Sequence, residues 1–586
     1  MLHLLAASAA LVAASANDDT TSRWYDLRPI LAASASTPPG IDLRLHLTSS
    51  WIDNLEPDGY DLPLGRNAAL TEDVCVQMIR KAIEAEGAAD LRGITRGVGH
   101  IKVTGNDAAQ GTAWSALQAL RAAALDSVVV EVYRVRDSEL AGEPDAVLDV
   151  ERAAALLERI DVGSAYRQSV RIGRSAGLGD QEVTNFLHDY NVEVAQGAVA
   201  ADPTVSMLRT GFEVGLRVER ASDGSRFAVR TWGRDGRVAA EMQRIELPSL
   251  GRAPLELPTV ATSLWTSSAL VPPGGAMLID HDGGGAEALI VRIAPDGPST
   301  TPSSVLPLGE LGTRPMQPSI PTLSAVAPSG GWPSREDDFS VPSWEWTSFL
   351  STFTETVEDI RSGHASRFGS SVVFGEPERI TSELTGAVEE LRSSLSIRTI
   401  ALDVRYGIMP SKAARTETAA EDLAPLAEAL PGRLLGSGIE NDAVLLVGGT
   451  EYAYLKDHDT LIAAGSVVAD PIVDAAFEGI ALWCMPMSDQ AGGLSAWFDV
   501  QAHAPAPDAR DLTASSYRPG PNDGSKDSPG MTGRFVLDLA LQLPVTRRAA
   551  ARTLVESQSG EWTVVTTRPL SGSDETLVVL ARMTRL

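Results

Sequence analysis

Two short stretches carry residue types that could support catalysis by a serine nucleophile. Residues 173–177 (GRSAG) match G-x-S-x-G, in which the serine occupies a sharp turn between a strand and a helix. Residues 281–285 (HDGGG) are similar to a His-Gly-Gly-Gly segment that supplies an oxyanion hole. Such a segment should precede the nucleophile, whereas here it follows Ser175, and no apolar strand leads into Ser175. We interpret both stretches as glycine-rich surface turns and keep a hydrolase that uses Ser175 as an alternative.

Two Asp-His-Asp stretches, residues 280–282 and 457–459, place carboxylates beside an imidazole and could bind a divalent metal ion. Neighbouring residues of a strand point to opposite faces, so each stretch offers at most one pair of ligands. We interpret both as solvated loops and predict no metal and no cofactor. Trp344 and Trp346 could stack on a carbohydrate, but two aromatic residues at the entry to a domain are more typical of packing.

The composition limits the classes of partner. Lys and Arg number 49 against 77 Asp and Glu, which gives a formal net charge of −28. A protein with this charge repels phosphate backbones, so we predict no nucleic-acid partner. The two cysteines, Cys75 and Cys484, are predicted to be buried apolar residues of different domains, with no disulfide and no role in metal binding.

Residues 1–16 (MLHLLAASAALVAASA) are apolar and end in a small-x-small pattern, which is typical of a cleaved signal peptide. We therefore expect an exported protein. No later stretch has the roughly 20 consecutive apolar residues that a spanning helix requires, so no transmembrane helix is predicted.

A segment rich in Pro, Ser, Gly and Thr, residues 296–343, has the composition of a linker and divides the chain into two parts. A similar segment, residues 504–533, has strand-like sequence on both sides. We predict that it is a long loop inserted between strands.

The two parts share a sequence pattern. Residues 184–230 and 452–498 alternate apolar and polar residues between turn-forming residues, which predicts antiparallel strands. The two segments align without a gap at an offset of 268 residues, the separation of Asp202 and Asp470. We interpret the match as an internal duplication.

The residues common to both copies have a structural rather than a chemical interpretation. Proline cannot donate to a sheet ladder, so it predicts a turn or a strand edge, and glycine permits a bulge or a close approach of backbone. Asp223-Gly224 predicts a further turn. No catalytic residue is assigned, and the structural landmarks are Asp202, Pro203, Gly211, Asp470, Pro471 and Gly479.

A smaller mixed module precedes each strand-rich segment. The first should contain helices near residues 71–84 and 110–124 and a strand near 100–104; the second, shortened module should contain helices near 352–360 and 381–391 and a strand near 371–374. Strands are predicted next at residues 127–135 and 399–406. The predicted organisation is a signal peptide (1–16), an α/β module (17–125), a β domain (126–295), a linker (296–343), a shortened α/β module (344–395) and a second β domain (396–586).

Residues 202–223 (DPTVSMLRTGFEVGLRVERASD) and 260–279 (VATSLWTSSALVPPGGAMLI) resemble the C-terminal domain of type II and type III secretion secretins. In that family a Gly-led strand of alternating apolar residues precedes a turn, and a Val-Pro-Asp-Gly-Gly-like turn precedes an apolar strand. Residues 25–28 (YDLR) and 189–193 (DYNVE) are similar to the openings of the two domains in secretin-like envelope proteins of planctomycete-type bacteria. The sequence departs from secretins after residue 279, where DHDGGG replaces the usual apolar-Gly-Gly hairpin.

The resemblance implies an α+β fold of two tandem halves, each an α/β module followed by an antiparallel, secretin-like β domain. It implies a non-enzymatic exported envelope protein that serves in assembly, in secretion-related scaffolding or in protein binding. We expect a protein partner or self-association through sheet edges, in the periplasm or peripherally at the outer membrane. The alternatives are the serine hydrolase and a functional outer-membrane secretin subunit.

Overall fold

The structure is a computed structural model. It describes residues 20–34, 47, 70–87, 89–140, 143, 145–160, 164–195, 198–238, 241–245, 254–280, 287–294, 301–312, 357–368, 370–394, 397–440, 442–463, 466–488, 493–505, 511–513, 540–542, 546–570 and 573–586. The predicted signal peptide, Trp344 and Trp346, and residues 281–285 lie outside these ranges.

The strands before residue 313 are β1 (Thr21–Asp26), β2 (Leu91–Gly97), β3 (His100–Gly105), β4 (Ser127–Arg136), β5 (Val147–Leu148), β6 (Ser164–Arg171), β7 (Ser175–Ala195), β8 (Ala198–Arg220), β9 (Phe227–Val238), β10 (Gln243–Ile245), β11 (Leu255–Leu257), β12 (Thr259–Val271), β13 (Ala276–Ile279), β14 (Glu287–Ile293) and β15 (Val305–Pro307). Those after residue 356 are β16 (Ala365–Phe368), β17 (Ser371–Phe374), β18 (Thr399–Pro410), β19 (Gly432–Ile439), β20 (Val444–Ala463), β21 (Ser466–Ser488), β22 (Leu494–Pro505), β23 (Asp511–Thr513), β24 (Ala540–Gln542), β25 (Thr546–Ser557), β26 (Trp562–Pro569) and β27 (Glu575–Arg585). The α-helices are α1 (Arg28–Ser34), α2 (Glu72–Ala85), α3 (Asp107–Leu125), α4 (Asp137–Leu140), α5 (Val150–Arg159), α6 (Glu358–Ser362), α7 (Ser382–Ser394), α8 (Ser411–Glu417) and α9 (Ala424–Ala429), with 3₁₀ turns at Gly309–Gly312 and Pro377–Arg379.

The largest element is an antiparallel sheet of eight strands in the order β25-β22-β21-β20-β12-β9-β8-β7. Apolar residues alternate along its strands and line one face; in β8 these are Phe212, Val214, Leu216 and Val218, all buried. Strand alternation therefore turns the polar residues between them, such as Arg217 and Glu219, to the opposite face.

Two smaller antiparallel sheets form a second layer over this apolar face. Their strand orders are β5-β13-β14-β4-β6 and β19-β18-β27-β26. The backbones of Asp280 and Leu435 join them through two hydrogen bonds of 2.8 and 2.7 Å. One continuous core lies between the layers and contains Val130 of β4, Trp265 of β12 and Val579 of β27.

The strands on either side of residues 313–356 follow the same order in both layers. The first strand set is β12-β9-β8-β7 in the large sheet and β13-β14-β4-β6 in the second layer. The second strand set is β25-β22-β21-β20 and β26-β27-β18-β19.

The long hairpins of the two sets also share their register. In β7–β8 the pairing shifts by one residue between Leu187 and Asp189, and in β20–β21 it shifts between Leu455 and Asp457. Tyr190 lies opposite Pro203, and His458 lies opposite Pro471. All these positions are related by the offset of 268 residues seen in the sequence.

A helical layer packs at one end of the sandwich. Strands β1, β3 and β2 form a sheet against α2 and α3, and β15, β17 and β16 form another with α7 nearby. The side chains of Thr71 and Asn106 accept hydrogen bonds from the first turns of α2 and α3, at 3.3 and 2.9 Å, and so fix where these helices begin. The predicted helices at 71–84, 110–124 and 381–391 and the strands at 100–104, 127–135, 371–374 and 399–406 are confirmed.

Of the two alternatives predicted for Asp202-Pro203, a turn or a strand edge, the turn is wrong, because both residues lie within β8 and the hairpin reverses between Ala195 and Ala198. Pro203 is tolerated because among the described residues β9 pairs with β8 only from Gly211 onward, so the missing N–H leaves no gap in that ladder. The turn at Asp223-Gly224 is confirmed: the N–H of Ala221 donates to the carbonyl of Arg226 at 3.0 Å, and Gly224 has φ of 68°.

The prediction that the Asp-His-Asp stretches form solvated loops is also wrong where the structure describes them. Residues 457–459 lie within β20, paired with β21. Asp280 is fully buried because its backbone joins the two sheets of the second layer. Parts of the segments with loop composition are ordered as well, since residues 305–307 form β15 and residues 511–513 form β23.

Candidate functional site

The landmark residues of the sequence lie on the long hairpins. Asp202 and Pro203 are exposed in β8, and Asp470 and Pro471 hold the equivalent backbone positions in β21. Gly211 and Gly479 lie where β9 and β22 begin to pair with these strands.

Both glycines are required by their backbone. Gly211 has φ of 103° and Gly479 has φ of 154°. A Cβ atom would lie 2.4 Å from the carbonyl oxygen of Asp180 at position 211 and 2.3 Å from that of Gly448 at position 479. The glycines therefore allow neighbouring strands to approach closely at the same point of each hairpin.

Ser175 does not occupy a nucleophile elbow. It begins the 21-residue strand β7 instead of linking a strand to a helix, and its hydroxyl has no hydrogen-bond partner among the described residues. A nucleophilic serine needs a base within hydrogen-bond distance. The geometry gives no support to the hydrolase alternative.

Arg174, beside Ser175, is a buried cation. Its guanidinium lies 4.3 Å from the ring centre of Phe368 in β16, and its three nitrogens have no hydrogen-bond partner among the described residues. Burial, together with the charge of Arg217, lowers the pKa of Arg174 to about 10. The ring contact compensates only part of the lost hydration.

A buried ion network centres on Glu219 of β8. Its carboxylate accepts hydrogen bonds from Arg217 at 2.6 Å, from Arg230 at 2.9 Å and from the backbone N–H of Ser370 at 3.0 Å. Burial acts to raise the pKa of Glu219, but the two arginine charges outweigh it and hold the pKa below its usual value.

Arg230 extends this network from the first strand set to the second. Its Nε donates to the carboxylate of Asp442, just before β20, at 3.0 Å. Burial raises the pKa of Asp442, and the charge of Arg230 opposes that shift. An ion pair thus spans the contact between the two strand sets, with both partners buried.

The contact between the two strand sets, which we call the internal junction, is built mainly by β12. Its backbone pairs with β20 from Thr259 opposite Tyr452 to Thr266 opposite Leu445. The ladder ends at that last pair, and the hydroxyl groups of three consecutive residues, beginning with Thr266, bond to the second strand set there. Their bonds to the second strand set join Thr266 Oγ1 with the N–H of Leu445 (2.9 Å), Ser267 Oγ with the carbonyl of Ser437 (2.8 Å) and Ser268 Oγ with the N–H of Ile439 (2.8 Å).

The large sheet ends in two strands that have one neighbour each. Among the described residues no strand pairs with the outer edge of β7 or with the outer edge of β25. These two edges correspond to the two sides of the internal junction. Strand β7 has the same place in the first set as β20 has in the second, and β25 has the same place in the second set as β12 has in the first.

The sequence did not identify the residues that build the junction. Arg230 and Asp442 are 212 positions apart and show no motif. The available signal was the Thr-Ser-Ser run at 266–268, which is unusual inside an otherwise apolar strand.

The described residues contain no cluster of three or more His, Cys, Asp or Glu that could hold a metal ion. Cys75 and Cys484 are buried free thiols in different cores, and burial raises the pKa of Cys75 to about 12. Among the described helices, none is long and apolar enough to cross a membrane.

Known proteins resemble the chain in structure and not in sequence. No protein-family model and no curated protein matches it. Its structural neighbours include the type III secretion injectisome secretin InvG of Salmonella, with 11% identity, a TM-score of 0.19, and coverage of 40% of this chain and 77% of that one. The type II secretin GspD of enteropathogenic Escherichia coli has 13% identity, a TM-score of 0.17, and coverage of 41% and 84%. Aeromonas hydrophila ExeD has 9% identity, a TM-score of 0.19, and coverage of 97% and 91%.

Proposed function

We propose that this chain is a non-enzymatic, exported protein of the cell envelope, in the periplasm or at the outer membrane, that assembles head to tail. Each chain would contribute two secretin-like units, the first and the second strand set. The observation that carries the proposal is the internal junction, where one edge of the first set pairs with the opposite edge of the second.

The proposal of two equivalent units is supported by more than strand order. The turns after β12 and β25 have positive φ at Gly274 (80°) and Gly560 (87°). The N–H of Gly274 donates to the carbonyl of Ile293 at 2.8 Å, and the N–H of Gly560 donates to the carbonyl of Met583 at 2.7 Å. Ile293 and Met583 lie at matching positions of β14 and β27. Independent sequences would have little reason to repeat a turn, its glycine and its partner strand together.

A junction between two unlike edges can be repeated. Each strand set offers four strands to the large sheet, so β7 of a second chain would run antiparallel to β25 as β20 does to β12. Such a head-to-tail interface gives a ring if the rotation closes and a filament if it does not. Main-chain pairing between exposed edges supplies the affinity.

The internal junction predicts the register of the contact between chains. In it Thr262 lies opposite Gly449. Gly236 and His503 hold matching positions in β9 and β22, because they lie opposite Gly211 and Gly479. Gly236 pairs with Thr262 and His503 pairs with Arg548, so Arg548 is the equivalent of Thr262 in β25. The equivalent of Gly449 in β7 is Gln181, by the offset of 268 residues. Arg548 of one chain should therefore lie opposite Gln181 of the next.

Cysteine cross-linking tests this register. A chain carrying Gln181→Cys is mixed with a chain carrying Arg548→Cys under mild oxidation, and a disulfide-linked dimer is expected because opposed strand positions have Cα atoms about 5.5 Å apart. The native Cys75 and Cys484 are buried and should not compete. Each variant alone should stay uncross-linked.

The matched control replaces Arg548→Cys by Leu554→Cys. Leu554 is exposed on the same strand, six residues further along, or roughly 20 Å. It should give no dimer with Gln181→Cys. A strictly monomeric chain at tens of micromolar, with no cross-link in either mixture, would overturn the proposed assembly.

A further inference from the structure

A surface cleft lies at the end of the second strand set, where β22, β25 and β26 meet. It has a volume of about 580 Å³. It is lined by Gly493, Leu494, Ser495, Glu556, Ser557, Gln558, Glu561 and Thr563. Two carboxylates, those of Glu556 and Glu561, lie on exposed residues of this cleft.

The first strand set has an equivalent place, but residues of the second strand set occupy it. Leu270 and Ala228 are opposed on β12 and β9 at this place, just as Glu556 and Ser495 are opposed on β25 and β22 in the cleft. Leu270 and Ala228 share one buried cluster with Ile439, the last residue of β19. The N–H of Leu270 also donates to Thr399 Oγ1, opposite Ile439 in β18, at 2.8 Å.

The residue that matches Ile439 at the free end of the first strand set is an arginine. Arg171 ends β6 as Ile439 ends β19, and it lies opposite Ser127 as Ile439 lies opposite Thr399. Ile439 is fully buried, whereas Arg171 is exposed. Ser127 keeps the hydroxyl that Thr399 uses to accept the N–H of Leu270.

We propose that Arg171 of a neighbouring chain enters this cleft and pairs with Glu556 and Glu561. The inference rests on the proposed head-to-tail assembly, and it adds what distinguishes the contact between chains from the internal junction. Within one chain this contact is apolar, because Ile439 packs against Leu270. Between two chains the equivalent contact is ionic, because the guanidinium of Arg171 meets the carboxylates of Glu556 and Glu561.

The difference in chemistry has a consequence for assembly. An apolar contact is permanent within the folded chain, whereas a rim ion pair steers association and weakens as salt is added. The sign of the charges also selects the partner, because a cleft with two carboxylates would reject an acidic residue in place of Arg171. The occupant is a second copy of this chain.

Charge reversal tests the pairing in the cross-linking assay between Gln181→Cys and Arg548→Cys chains. Arg171→Glu in the first chain, or Glu556→Arg in the second, should lower the yield of dimer about tenfold at low salt, because like charges then meet. Combining the two reversed chains should restore most of the yield. Added salt should reduce the unreversed yield as well.

Arg415→Glu is the matched control, since Arg415 is exposed on α8, beyond the far end of β18 from Thr399. It should leave the yield unchanged, and it should keep the unfolding temperature of the parent chain, as should Glu556→Arg. Arg171→Glu also removes the hydrogen bond that Arg171 donates to the carbonyl of Leu125, so its unfolding temperature is measured beside its yield. If the parent pair cross-links and Arg171→Glu cross-links equally well, the ionic contact is wrong and the assembly stands. If the parent pair itself fails to cross-link, the assembly is wrong.

Discussion

At the scale of single residues, the polar face of the large sheet is held by charges that burial makes costly. Glu219 is compensated by Arg217 and Arg230, and Arg230 by Asp442 as well. Removing one partner of such a network leaves a buried charge uncompensated, which lowers stability. A buried charge that has no partner can instead be replaced by an apolar side chain without loss of stability. Arg174 belongs to the second class, because its nitrogens lack hydrogen bonds within the described part of the chain.

Arg174→Met should therefore stabilise the fold. The folded-state pKa of about 10 lies below the ordinary value of 12.5, so the charged form is disfavoured by folding. At neutral pH the desolvated cation therefore destabilises the fold, and contact with Phe368 offsets only part of that cost. A net gain on the order of 1 kcal/mol should appear as a higher midpoint in denaturant unfolding.

The pH dependence of the stability follows from the same shift of the Arg174 pKa. Between pH 10 and 12.5 the unfolded chain binds more protons at this position, so the cost falls as pH rises through that window. Arg415→Met, at an exposed arginine of α8, should leave the unfolding midpoint unchanged. A loss of stability in Arg174→Met would show that the ring contact outweighs desolvation.

At the scale of elements, the two long hairpins depend on glycine at one shared position. Gly211→Ala and Gly479→Ala should each lower the free energy of unfolding by about 2 kcal/mol or more, because the added Cβ meets a backbone oxygen of the neighbouring strand and the backbone has positive φ. Gly111→Ala is the matched control: it lies within α3 with nothing within 4 Å of its Cβ position. That change should raise helix stability by about 1 kcal/mol. Equal effects at all three positions would contradict the close-approach interpretation.

Most individual elements could be predicted from the sequence, because periodicity and caps act locally. The strand at 399–406 was readable from its apolar residues and the helix at 110–124 from its amphipathic spacing. Whether Pro203 marks a turn or a strand edge could not be decided from the sequence, because a proline inside a strand is acceptable only where one edge is unpaired, and that depends on where β9 ends. Pairing between β12 and β20 also could not be predicted, since this backbone ladder joins residues far apart in the sequence, from Thr259 opposite Tyr452 to Thr266 opposite Leu445.

At the scale of the whole molecule, the large sheet and the second layer enclose one core that draws on both strand sets. Val130 of β4 and Val579 of β27 are both fully buried in it, although they belong to different strand sets. The internal junction adds a β ladder, hydroxyl contacts and the ion pair of Arg230 with Asp442. Because the two strand sets share a core and a sheet, unfolding of one set would expose the apolar surface of the other to water.

The two strand sets should therefore unfold together. Val130→Ala and Val579→Ala each leave a small cavity and should cost about 2 kcal/mol, and in calorimetry both should lower the midpoint of the same transition. Val98→Ala, at an exposed position, should lower neither. Two transitions, each responding to only one of the buried substitutions, would mean that the sets fold independently and that the internal junction is a contact between separate domains. The head-to-tail proposal would then lose its template, because a junction that opens on its own would not fix the register expected between chains.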